Sequence, residues 1–138
     1  MSVENEIRAN ANIQQMLSQL KEKLNATKMF SNNKIAKIQL YVDFSIDDGK
    51  FKKIKIWLKC NDFEGAIYSN GKIYIKNYAK PITIDSDSMN IFKSINTKSM
   101  DLFYRSAWAT KESRELYEHQ KKEDELKEET MNSFMFIN

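Results

Sequence analysis

Eight side chains in the middle of this chain could do chemistry together. Tyr41, Trp57 and Tyr74 supply rings, and Lys53, Lys55, Lys59, Lys72 and Lys76 supply ammonium groups, in a stretch where apolar and polar residues alternate. Such a set fits single-stranded nucleic acid, because rings stack on bases at ~1–3 kcal/mol per base while ammonium groups neutralise phosphates. It also fits a protein partner, for which Trp57 and Tyr74 are good anchors. A third reading is a plain solvent face, since exposed strands favour Tyr, Trp, Thr and Lys for propensity and for protection against edge pairing.

Catalytic sets are scarce. His119 is the only histidine and stands in a charged run that reads as a solvated helix, and Cys60 is the only cysteine. A Ser-His-Asp or Cys-His arrangement would need those two side by side. Cys60 falls on the apolar side of its strand and reads as a small buried hydrophobe. Asp47 and Asp48 sit where turn chemistry wants Asp, and Asp62 and Glu64 follow a strand end. Asp85-Ser86-Asp87 starts like a calcium loop but lacks its glycine and its closing glutamate, so helix capping is the better account. There is no P-loop and no GxGxxG. The sequence therefore predicts no catalytic residues, no metal site, no cofactor and no enzymatic activity.

The elements that must position the eight side chains are legible as patterns. Ile13, Met16, Leu17, Leu20 and Leu24 recur at the spacing of one helical face, which predicts an amphipathic helix over residues 3–25, capped by Ser2. Two hairpins follow. In the first, a three-residue Asp47-Asp48-Gly49 loop pairs Phe44 with Lys52, Val42 with Ile54, Leu40 with Ile56 and Ile38 with Leu58. That register leaves Gln39, Tyr41, Asp43, Lys53, Lys55, Trp57 and Lys59 on the opposite face. The second hairpin turns at Ser69-Asn70-Gly71, where two- and three-residue loops are equally allowed. Either one puts Lys72, Tyr74 and Lys76 opposite Ile73 and Ile75. Pro81 places the short last strand at an edge.

The last third is helical. A short helix around Met89–Ile95, a break at Asn96-Thr97 and a longer helix over residues 98–129 are expected, with Met100, Phe103, Tyr104, Ala107 and Trp108 covering the sheet. From Glu118 onward the helix should project into solvent. The fold class is thus α+β: an N-terminal helix, a four- or five-strand antiparallel meander and two C-terminal helices on one sheet face. Residues 1–117 form a single domain and residues 118–138 a charged helical extension with an apolar tip.

Charge divides the same way. From Ser31 to Ile84 ten lysines stand against five acids, whereas from Glu112 to Asn138 eight acids stand against four bases. The second run ends in Phe134-Met135-Phe136-Ile137, which resembles the general plan of phage and bacterial single-strand DNA-binding proteins, whose acidic tail with an aromatic tip competes for the basic surface or recruits partners. The resemblance is compositional and covers only about the last 25 residues. Those proteins usually build an OB barrel, which a meander between helices does not. The plainer expectation is a solvated helix whose end folds back to dock Phe134 and Phe136.

With 138 residues the chain can bury one core without staples, and one cysteine excludes a disulfide framework. The first residues are acidic and polar where a signal peptide would be basic and then apolar, and no apolar run approaches ~18 residues. A cytoplasmic protein with no membrane contact is expected. The Lys-, Asn- and Ile-rich usage suits an AT-rich genome such as that of a low-GC bacterium, its phages or a large DNA virus, and with the small size and lack of a familiar motif it points to a phage or mobile element. The functional expectation is a non-enzymatic binding protein that takes single-stranded nucleic acid on its Lys/aromatic face. The alternative is an assembly or adaptor protein, including a homo-oligomer, docking through that face or through Phe134 and Phe136.

Overall fold

The N-terminal helical face is delivered by two helices. Asn10 leaves helical geometry (ψ 129°), and its side chain accepts hydrogen bonds from the Asn12 and Ile13 amides. That N-cap separates α1 (Val3–Ala9) from α2 (Ala11–Ala26), so the single helix expected over residues 3–25 is corrected to a pair. Ser2 caps α1 as expected, accepting from the Asn5 amide. This computed structural model describes residues 2–27, 30 and 33–135, with side chains as far as residue 128.

The sheet is a five-stranded antiparallel meander in the order β1 (Ile35–Ser45), β2 (Lys50–Cys60), β3 (Glu64–Ile67), β4 (Lys72–Ile75) and β5 (Ile82–Thr83). Ile38 pairs with Leu58, Leu40 with Ile56 and Val42 with Ile54, the expected register. Two irregularities refine it. Ala36 is an extra residue on β1, so that Ile35 joins Cys60 in the core while Lys37 and Lys59 stay on the other face. Lys52 is an extra residue on β2, so Phe44 pairs with Phe51 rather than with Lys52, across a four-residue turn. The bulge exchanges a lysine for a second ring in the core. Both phenylalanines then meet Phe103, at centroid distances of 5.3 and 6.0 Å.

Strong glycine requirements fall at the two hairpins. Gly49 has φ 60°, and a Cβ there would lie 2.5 Å from the Thr110 amide nitrogen. Gly71 has φ 78° and closes the three-residue loop at Ser69-Asn70-Gly71, with the Tyr68 amide donating to the Lys72 carbonyl.

α2 and α3 (Ser86–Arg105) cover the apolar face of the sheet, as the alternation requires. Asp85 caps α3, its carboxylate accepting from the Ser88 amide and hydroxyl. The hydrogen bond from Ser88 holds the Asp85 carboxyl below its usual range. α3 runs through Asn96-Thr97 without a break. The corner lies instead at residues 106–110, before α4 (Lys111–Met135). Arg114 fixes it by donating to the carbonyls of Tyr104 (2.6 Å) and Ser106 (2.9 Å), and Thr110 caps α4 by accepting from the Ser113 amide. Ala107 and Trp108 therefore leave the helical face, and Trp108, 41% exposed, meets the sheet from this corner rather than from a helix, packing edge-on against the Phe44 ring at 6.1 Å. Residues 118–128 are all exposed on α4.

One long edge of the sheet, along β1, is closed by side chains. Arg8 donates from Nε to the Leu40 carbonyl, Glu4 accepts from the Val42 amide, and Asn25 both accepts from the Ile35 amide and donates to its carbonyl. No helix among the described residues is long and apolar enough to cross a membrane.

Candidate nucleic-acid interface

Among the described residues, helices cover one face of the sheet and leave the other open. The alternation that buries Leu40, Val42, Ile54, Ile56, Ile67 and Ile73 must send their neighbours to this open side. Cross-strand register arranges those neighbours in rows. The central row is Gln39, Trp57, Ala66 and Tyr74. A lysine-rich row, Lys37, Lys59, Glu64 and Lys76, lies on one side of it, with the Lys76 amide donating to the Glu64 carbonyl. On the other side Tyr41 pairs with Lys55 and Tyr68 stands across from Lys72.

Dimensions follow from strand geometry. Rows on one face are about 7 Å apart along the strands, and Trp57 and Tyr74, with one strand between them, stand roughly 10 Å apart. Ala66 between them has only a methyl, so the two rings flank a shallow gap. Tyr74 is 44% exposed and Trp57 is half-buried. Lys53, Lys55, Lys72 and Lys76 are exposed and Lys59 is half-buried. Lys76 reaches Glu64 at 3.5 Å, a surface pair worth little.

The sequence-predicted set Tyr41, Lys53, Lys55, Trp57, Lys59, Lys72, Tyr74 and Lys76 thus shares one face. Tyr41 differs from the other rings. The Arg8 guanidinium lies 4.9 Å and the Lys55 ammonium 5.5 Å from its ring centre, so cations already attend it. The Phe134 side chain and all of Phe136 lie outside the described residues.

Sequence reasoning missed Lys37, Tyr68 and Arg8. Lys37 continues the alternation of β1 beyond Ile38 and stands opposite Lys59, and Tyr68 reaches the face through the three-residue second loop, whose choice the sequence left open. Tyr68 packs edge-on against Tyr74 at 5.2 Å, and the Tyr74 hydroxyl accepts from the Asn70 amide group. Strand alternation carries no signal for Arg8, which arrives from α1.

Elsewhere, Cys60 is 1% exposed, and burial pushes its thiol up against the opposing pull of Lys59. His119 is exposed on α4 and pairs with Glu123 at 3.1 Å. Among the described residues no three His, Cys, Asp or Glu side chains gather as a metal would require. The chain matches no family model, no curated protein and no solved structure.

Proposed function

We propose that this is a non-enzymatic binding protein whose open sheet face takes single-stranded nucleic acid. The observation that carries the reading is the row of Trp57 and Tyr74 set between two lysine-bearing rows. Bases laid along the ring row place their phosphates within reach of Lys59 and Lys76 on one side and of Lys55 and Lys72 on the other. Stacking is tolerant of sequence because every base has a π-face, and the ammonium groups release counterions when they meet phosphate.

A salt titration with labelled single-stranded oligonucleotides tests it. Affinity should fall steeply and linearly on a log–log plot, Trp57→Ala should weaken binding at every salt concentration, and Lys55→Ala should mainly flatten the slope. Absence of binding at low salt, together with a mass showing a stable oligomer or a captured protein, would assign the face to protein docking instead.

A further inference from the structure

We propose that the cavity beside the ring row, between α1 and the start of the open face, is a subsite that reads guanine. This rests on the nucleic-acid reading above. The half-open cavity measures about 450 Å³ and is lined by Glu4, Tyr41, Val42, Asp43, Lys53, Lys55 and Tyr68. Its volume suits one nucleotide rather than a long stretch of strand.

Each wall has a distinct chemistry. Tyr41 is held by the cations of Arg8 and Lys55, which makes it a fixed wall, while Tyr68 offers a half-buried ring for stacking. Lys53 and Lys55 bring positive charge to the rim, where a phosphate would lie. The two carboxylates are not equivalent. Glu4 is engaged, accepting from Arg8 at 2.8 Å and from the Val42 amide at 3.1 Å. Asp43 is exposed and makes no ion pair among the described residues, although it stands across the strands from Lys53.

A carboxylate only accepts hydrogen bonds, through two oxygens side by side. Guanine alone among the standard bases presents two adjacent donors on its Watson–Crick edge, N1–H and the N2 amino group. Adenine and cytosine set a ring-nitrogen lone pair beside their amino group, and thymine or uracil flanks its single N–H with carbonyls. Asp43 therefore matches guanine in a bidentate pair and repels the others, by the same edge complementarity that underlies recognition of unpaired bases.

The test uses the full chain and 5′-labelled deoxythymidine 12-mers that carry one central guanine, adenine or cytosine, or none, read by fluorescence anisotropy at fixed salt. The guanine oligomer should bind about tenfold more tightly than all-thymidine. Asp43→Asn should bring the ratio of guanine to all-thymidine affinity down to about one, whatever the removed charge does to binding of both oligomers, and Tyr68→Ala should reduce that ratio. Equal affinity for all four oligomers with a steep salt slope overturns the subsite and leaves the general reading standing. A guanine advantage that survives Asp43→Asn overturns the role of Asp43. No binding by any oligomer overturns both proposals.

Discussion

Ile56 and Trp57 are neighbours on β2 and stand on opposite faces of the sheet. Ile56 is fully buried beneath the helices, while Trp57 is half-exposed between Gln39 and Ala66. On the helix side every position answers to packing, and even a bulge is used to replace Lys52 by Phe51 under Phe103. On the open side no helix among the described residues packs on the rings and lysines, so that composition answers to strand propensity and is free to answer to a ligand as well. One strand thus carries two kinds of constraint, and substitutions can separate them.

The sharpest break in that comparison is Ile56→Ala, which should cost about 3 kcal/mol of stability through lost burial and a residual cavity. Trp57→Ala should stay close to the parent in the same urea titration while losing oligonucleotide affinity. Equal costs for the two substitutions would mean that Trp57 is a packing residue and that the faces are not distinct.

Behind the covered face, α4 is held to α3 by polar contacts, a weaker second layer. Tyr117 stacks on Tyr104 at 4.4 Å and donates to Asp101, which also accepts from Lys121 at 3.2 Å. Burial pushes the Asp101 carboxyl up, but the hydrogen bonds from Tyr117 and Lys121 outweigh it and leave it below the usual range. A carboxyl lowered on folding stabilises above its unfolded value near 4, and that contribution is lost as pH falls through the folded value. Asp101→Asn should cost about 1.5 kcal/mol at pH 7 and shrink the acid-side loss in a pH series of urea melts. An unchanged pH profile would remove Asp101 from this role.

A smaller effect runs the other way. Ser99 on α3 is fully buried, and its hydroxyl has no hydrogen-bond partner among the described residues. Ser99→Ala should raise stability by about 1 kcal/mol, read as a higher urea midpoint with the same slope. A loss of stability would show that the hydroxyl is satisfied. The smallest change in stability is expected on the open face, where Lys59→Gln should move it by less than about 0.5 kcal/mol yet weaken oligonucleotide binding.

The same contrast explains what could be read from sequence. Strand alternation from Ile38 to Leu58 is enforced by burial, so the central register and the shared face of Trp57, Lys55 and Tyr74 follow from periodicity alone. Positions decided by a single local interaction did not. The Asn10 cap splits a segment that has no proline or glycine to mark the break, and Arg114 fixes a corner ten residues beyond the polar Asn96-Thr97 pair. Weak helix propensity at Asn96 and Thr97 is overridden because Phe92, Ile95, Ser99 and Phe103 stay on one buried stripe. The bulges at Ala36 and Lys52 escape period-two reasoning because each flips the parity of the residues beyond it, which brings Ile35 and Phe51 inward. Tyr68 waited on the choice of a turn, and the cavity it lines waited on α1, which no strand pattern can place.

The side chains of Glu4, Arg8 and Asn25 that occupy the outer amides and carbonyls of β1 also limit how copies of this chain can meet. An incoming strand looks for a row of vacant donors and acceptors, and at Ile35, Leu40 and Val42 it finds them taken. At the opposite margin β5 offers only Ile82 and Thr83, directly after a proline that has no N–H to give. The sheet is therefore poorly suited to polymerise through its margins, and a broad, ring-bearing basic surface can be kept open without inviting the runaway strand addition that unprotected β-structure risks.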